Sequence, residues 1–445
     1  MKDEVTTTDS QARDDFVMLG YVDFDGLIRG KYVSASKFAS IKEKGSVFCS
    51  VVLGWDSRDE LFDNAYTGWF NGFPDDAVRM VPETRRTLPG DGRDFYLLEF
   101  TGDGRDLCPR NLAGRMVARA AEAGFTVRSG FEYEFFVFRE SPRSAMEKGY
   151  RDLTPLSPTT GGYSVLRTVT NRDLFSGLMG LAHDLGTPLE AIHPEAGEGA
   201  MEFALAPSEG IEAADRAAIF KTFSKAWGQE HDLLLCYMAK PITGLPGCGG
   251  HYHLSLMRDG APAFWSEEAP DNLSQTARHF IGGQQKYMPE LLALISPTIN
   301  AFTRLAPGFW APTGATWGFD NRTCSLRVVG DAAKSLRVEH RPAAADANPY
   351  LVQAAALASG LAGIEEGIEP TEPTRDNAYE ADMPEALKFP SSLAEAAARL
   401  RGSRMARDWF GSRFVDQFAT SREAEQAACR AAVSDWELHR YFEMI

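Results

Sequence analysis

Short apolar segments that carry charge on every second residue constrain this fold more than any other feature of the chain. In FEYEFFVF (131–138), Glu132 and Glu134 stand two positions apart among aromatics and a valine. Alternate residues of a strand point to one side, so the two carboxylates share a face and Phe131, Tyr133, Phe135 and Val137 form the other. Burying either carboxylate without compensation is costly. The pattern recurs. HYHLSL (251–256) sets His251, His253 and Ser255 against Tyr252, Leu254 and Leu256. AMEFAL (200–205) sets Glu202 against Met201 and Phe203, with Glu195 upstream in a glycine-rich loop. SLRVV (325–329) turns Arg327 away from Leu326 and Val328, and RVEHR (337–341) groups Arg337, Glu339 and Arg341 with Val338 and His340 behind.

Any one of these strands reads plainly as part of a half-solvated sheet. A solvated face, however, usually mixes Lys, Thr, Ser and Gln with its charges. These segments contain no lysine, and their polar faces hold mainly Glu, His and Arg. Several carboxylates with one or two imidazoles suit hard, oxygen-preferring divalent ions such as Mg²⁺ or Mn²⁺, and zinc poorly. Arginines beside such ions match phosphoryl transfer, where the protein orients groups and neutralises charge. Neither a GxxxxGK[ST] loop nor a GxGxxG loop is present. GLPGCGGH (244–251) is a glycine-rich approach to His251, as consistent with a tight turn as with a phosphate or substrate contact.

The 445 residues allow two or three domains. A formal charge of -16 argues against nonspecific nucleic-acid binding. The N-terminus, MKDEVTTTDSQARDD, has no apolar core, so no secretory signal is expected. No later apolar run approaches a membrane span of about 20 residues. The six cysteines are scattered without a CxxC pair, which favours reduced thiols and a cytoplasmic setting.

The expected class is α+β. FVMLGYVDFDGLIRGKYV (16–33) reads as a hairpin, with further strands through VFCSVVLGW and FYLLEF. TGDGRDLCPR (101–110) is a turn-rich boundary, which divides a strand-rich unit (1–104) from a larger one (105–445). Helices are expected at NLAGRMVARAAEAG, ended by Gly124, over 211–237, over 349–365, and near 392–400 and 421–441.

FEYEFFVF, GCGGHYHLSL, FDNRTCSLR, RVEHRPAAADANPYL and the closing DWELHRYFEMI, in this order, resemble the glutamine synthetase family over nearly the whole chain. The resemblance implies an N-terminal β-grasp domain and a catalytic domain of the carboxylate–amine ligase type, whose curved antiparallel sheet is flanked by helices. It also implies a homo-oligomer, a dodecamer of two hexameric rings, with each active site built by adjacent subunits. By matching, Glu134, Glu195 and Glu202 hold one divalent metal (Mg²⁺ or Mn²⁺), and Glu132, His251 and Glu339 the other. Gly247, Arg304 and Arg341 match contacts to glutamate. Arg322 and Arg327 match catalytic arginines around the transferred phosphoryl group; His253, Ser255 and Arg337 match the ATP side. The implied chemistry phosphorylates the γ-carboxylate of glutamate with ATP, and an amine then displaces phosphate.

The departures cluster around the second substrate. In ammonia-using members a glutamate follows the PG-aromatic stretch, whereas this chain reads PGFWAP with Trp310 there. Tryptophan takes no proton, although its face suits a cationic or apolar amine. Pro246 replaces an asparagine. FDNAYTGW (62–69) aligns Asp63 with the family's ammonium-binding aspartate but is one residue shorter. With FDNRTCSLRVVG and ADANPYL, these changes resemble the γ-glutamyl-polyamine and γ-glutamyl-alkylamide branch. The expected activity is therefore ligation of glutamate to an organic amine. Ordinary glutamine synthesis, another carboxylate substrate and a non-enzymatic ring protein are the alternatives. Tyr379 matches a tyrosine that some bacterial members adenylylate; its surroundings differ, and a structural role is expected.

Overall fold

A computed structural model describes residues 16–445. The polar N-terminal stretch expected to carry no signal lies outside the described residues.

Two sheets organise the chain. The first contains β1 (Phe16–Val22), β2 (Ile28–Ser34), β3 (Ser46–Cys49), β4 (Asp75–Met80), β5 (Arg86–Thr87) and β6 (Asp94–Phe100), in the order β2-β1-β6-β4-β3 with β5 on β6. β1 and β2 form the expected hairpin, β1 runs parallel to β6, and the helix Ala35–Lys44 buries Phe38 and Ile41, giving a β-grasp arrangement. VFCSVVLGW is only partly a strand. β3 is an edge that ends at Cys49, and Ser50–Leu53 turn into a short 3₁₀ helix that buries Val52 and Leu53. Burial of these side chains overrides the β-propensity of the valines.

The second sheet contains β7 (Thr126–Phe138), β8 (Leu189–Pro194), β9 (Ala200–Leu205), β10 (Ser208–Glu209), β11 (Leu234–Cys236), β12 (Gly250–Arg258), β13 (Ala261–Pro262), β14 (Trp317–Phe319), β15 (Leu326–Val329) and β16 (Arg337–His340). Its order is β14-β15-β16-β12-β7-β9-β8. The expected antiparallel pattern holds except at the edge, where β14 and β15 run parallel. Between them Asn321 accepts from the Thr323 N–H and donates to the Thr374 and Asp376 carbonyls, fixing the turn that sends the chain back in the same direction.

The helices differ from expectation at their ends. Pro109–Glu122 is followed by Gly124 at φ +82°, as its C-terminal role requires. Glu212–Glu230 stops short of 237, because Leu233 N–H bonds back to Gly228 O and Leu234–Cys236 joins β7. The segment 421–441 is two helices, Ser412–Ala431 and Asp435–Tyr441; Ser434 and Glu437 form a capping box that starts the second. Pro349–Glu366 and Leu393–Gly402 match the expected positions. Among the described residues no helix is long and apolar enough to cross a membrane.

Lys221 ties the helix Glu212–Glu230 to the loop after β16 by donating to the Ala345 and Ala347 carbonyls. Burial pushes its ammonium down to about 7. The unfolded chain therefore binds the extra proton between pH 7 and 10.5, and stability rises with pH in that window. In Lys221→Met this rise is expected to disappear, so the Tm difference between wild type and variant should widen from pH 7 to 10. A constant difference would mean the lysine stays charged throughout.

Candidate active site

The central strand β7 sets the site by its register with both neighbours. Glu132 faces His251 of β12, and Glu134 faces Glu202 of β9, which in turn faces His193 of β8. On the other side Glu339 of β16 lies between His253 of β12 and Arg327 of β15. The opposite face of β7 is core. Phe131 and Tyr133 are each 1% exposed, and Phe135 stacks on Tyr237.

Two clusters of donor atoms result, each within 4.8 Å: Glu132, His251 and Glu339, and His193, Glu195 and Glu202. His251 Nδ1 is 2.8 Å from Glu132 and 3.5 Å from Glu339. His193 lies 3.4 Å from Glu195 and 3.0 Å from Glu202. Glu134, expected with Glu195 and Glu202, sits beside Glu202 in register and accepts the Gly249 N–H at 2.5 Å. His193 was not singled out from the sequence; it joins the cluster through the pairing of β8 with β9, which sets it opposite Glu202.

Electrostatics divide the clusters. Against the cost of burial, hydrogen bonds with His251 and His253 hold Glu132 well below the usual carboxylate range. Arg341 and the same histidines hold Glu339 low despite burial. Burial raises Glu195 and Glu202, and the neighbouring carboxylates add to it. So dense an acidic group is relieved by a cation. Carboxylates with single imidazoles and no thiolate are the donor set of a hard divalent ion. The residues present fit one ion at each cluster.

Two cavities meet at Glu132. The larger, about 540 Å³, is lined by Glu132, Glu134, Glu195, Glu202, Gly247, His251, Arg304, Trp310, Arg322, Arg327, Glu339 and Arg341. The smaller, about 280 Å³, takes His253, Ser255 and Arg337, together with Glu190 and Lys334, which were not anticipated. In it Arg337 donates to His253 Nδ1 at 3.2 Å, and the buried Ser255 hydroxyl has no hydrogen-bond partner among the described residues. Arg327 and Arg341 both grip Glu339, at 2.9 and 2.5 Å. The Arg304 guanidinium donates to the Pro342 and Arg341 carbonyls.

Gly247 is held to glycine by space: a Cβ there would collide with Ala239 O and come within 2.7 Å of Arg304 Cγ. Trp310 adopts φ +59° and is 59% exposed, its carbonyl accepting from Arg341. Phe309 and Tyr163 join it on the cavity wall, Tyr163 stacking on His193 at 4.4 Å. Tyr163 too escaped the sequence reading. The Tyr379 hydroxyl donates to Ala311 O and anchors the Trp310 loop. Asp63 alone among the expected residues is absent from both cavities; it is exposed on the first unit.

Sheet, clusters and paired cavities together make a carboxylate-rich site with two candidate cation clusters. The glutamine synthetase catalytic-domain family matches residues 106–441, and the chain belongs to the glutamine synthetase family of ATP-dependent carbon–nitrogen ligases, which use divalent metals. Type-1 glutamine synthetase 2 of Dictyostelium discoideum is 38% identical, covering 97% of this chain and 84% of that protein. A γ-glutamylethanolamide synthetase of Streptomyces coelicolor is 36% identical (96% and 93%), and a glutamate–isopropylamine ligase of a Pseudomonas species 34% (97% and 95%). The solved structure of GmaS with ADP superposes with a TM-score of 0.84 at 27% identity, covering 97% of this chain and 98% of that one.

Proposed function

We propose that this protein ligates the γ-carboxylate of L-glutamate to an organic monoamine, consuming ATP and releasing ADP and phosphate. The observation that carries the reading is the aromatic wall of Tyr163, Phe309 and Trp310 in the larger cavity. Every carboxylate lining that cavity belongs to, or lies beside, the two donor clusters, and the other charged groups there are Arg304, Arg322, Arg327 and Arg341. With ions bound to those carboxylates, the wall supplied by this chain offers a second ammonium on the amine arginines rather than a free carboxylate. This disfavours a polyamine, and an apolar or hydroxylated substituent suits the wall.

ATP occupies the smaller cavity, against His253, Ser255 and Arg337, with its γ-phosphate directed past Glu132. Arg304, Arg341 and the backbone at Gly247 orient glutamate. The two clusters hold Mg²⁺ or Mn²⁺, which when bound lower the repulsion between carboxylate and phosphate. A γ-carboxylate oxygen attacks the γ-phosphorus and ADP leaves, with Arg322 and Arg327 facing the charge on the transferred group. The neutral amine attacks the acyl carbon, the C–O bond to phosphate breaks, and the amine proton passes to a base. Asp63 fills that role from a neighbouring subunit in a dodecamer of two hexameric rings. Exposed aromatics on its own segment, Trp69 at 86% and Phe70 at 66%, support an intersubunit position.

The glutamine synthetase relative from Dictyostelium supports a second reading, ammonia as the amine. Measured ADP release with glutamate and Mg²⁺ or Mn²⁺ separates the two. Isopropylamine or ethanolamine is expected to exceed both ammonia and putrescine in kcat/KM by at least about tenfold. Ammonia outperforming every organic amine would establish the second reading, and no ADP release with any amine would leave a structural protein.

A further inference from the structure

A separate cleft of about 480 Å³ lies where the first sheet meets the helix Pro109–Glu122, and it shares no residue with either cavity of the site. Four arginines line it against one carboxylate, Glu99. Two of them are neutralised: Arg79 and Arg110 pair with Glu99 at 2.5 and 2.6 Å, and Arg110 also grips Asp215. The other two have no such close pair. Arg105 is exposed, and among the described residues its guanidinium has no hydrogen-bond or ion-pair partner. Arg115 donates one nitrogen to Phe410 O, while its Nη1 is buried, has no hydrogen bond among the described residues and makes only a long ion pair with Asp106, at 3.8 Å.

Surplus positive charge in a concavity is notable on a chain of net charge -16. Solvated charge on an acidic protein needs no explanation, but a buried, unsatisfied guanidinium nitrogen does. The floor beneath it is apolar and open. Gly114 stands one turn before Ala118, and a Cβ at Gly114 would meet only Ile211, at 3.8 Å. A fork of cationic donors above an apolar floor, at a volume in the ligand range, suits an anion with a carbon body.

We infer that this cleft binds a small organic anion, with its phosphate or carboxylate head on Arg105 and Arg115 and its body over Gly114 and Ala118. Because the walls come from β4, β6 and the helix that follows them, a bound anion bridges the first sheet and the second unit, and it raises the Tm of the whole chain.

The test is calorimetric titration of the full-length protein with inorganic phosphate, AMP and citrate, on wild type, Arg105→Ala and Gly114→Leu. At least one probe is expected to bind at one site per chain, with affinity falling at least about tenfold in both variants. ADP release without the probe is expected to stay unchanged. Comparing AMP and phosphate with citrate identifies the preferred head group. AMP held at the active site would be untouched by either variant, so this outcome remains separable from the proposed ligase activity. Absence of binding by all three probes overturns the inference, and so does binding that Arg105→Ala leaves intact. Arg105→Ala removes an exposed, unpartnered side chain, so it remains informative if Gly114→Leu fails to fold.

Discussion

Glu339→Gln is expected to lower ADP release, measured with glutamate, amine and Mg²⁺, by at least about three orders of magnitude, or ~4 kcal/mol of transition-state stabilisation. Glu339 is 1% exposed, 3.5 Å from His251, and receives both Arg327 and Arg341. One substitution therefore removes a donor from a cluster and releases two arginines from their common anchor. Breaking a buried pair costs about 3–5 kcal/mol when a charge is stranded. Here Arg327 keeps Asp320 and Arg341 keeps the Trp310 carbonyl, so the loss should be smaller and the sheet should stay folded. A cooperative melt at lower temperature, with ADP binding in the smaller cavity retained, is the expected companion result. Full ATP-dependent turnover by a folded Glu339→Gln protein would count decisively against a role in phosphoryl transfer.

Glu339 also shows why much of the site was legible in the sequence. Strand alternation alone places a residue on a face, and apolar partners on the other face give the direction. Thus Glu132, Glu134, Glu202, His251 and Arg327 could be read from their own segments. What alternation does not supply is register between strands. His193 becomes a neighbour of Glu202 only because β8 pairs with β9, and Tyr163 reaches the cavity wall from a loop 32 residues upstream of Glu195 in the chain, held there by the bond from its N–H to Pro194 O. Helix ends failed for a related reason. Residues 231–237 look helical until Leu234–Cys236 finds β7, a tertiary pairing that local periodicity cannot contain. Asp63 marks the other limit. Its segment was read from resemblance, and among the described residues it lines neither cavity.

Trp310→Glu is expected to shift the amine preference toward ammonia. The loop is fixed by its backbone, with the Trp310 carbonyl on Arg341 and Ala311 O on the Tyr379 hydroxyl, so a new side chain changes the wall without releasing the loop. The φ of +59° already disfavours any L-residue, and glutamate, which is not β-branched, adds no backbone penalty beyond that of tryptophan. Removing the ring from an alkylamine substituent costs ~2 kcal/mol of apolar contact, roughly thirtyfold in kcat/KM. The introduced carboxylate gains an ammonium partner in exchange. The ratio of kcat/KM for isopropylamine over ammonia should therefore fall by at least about thirtyfold, while the KM for glutamate stays within a fewfold of wild type. A ring that only packs the loop gives a different signature: both amines lose activity together, the Tm drops, and their ratio holds. That result would take Trp310 out of the amine site and leave Tyr163 and Phe309 to account for selectivity.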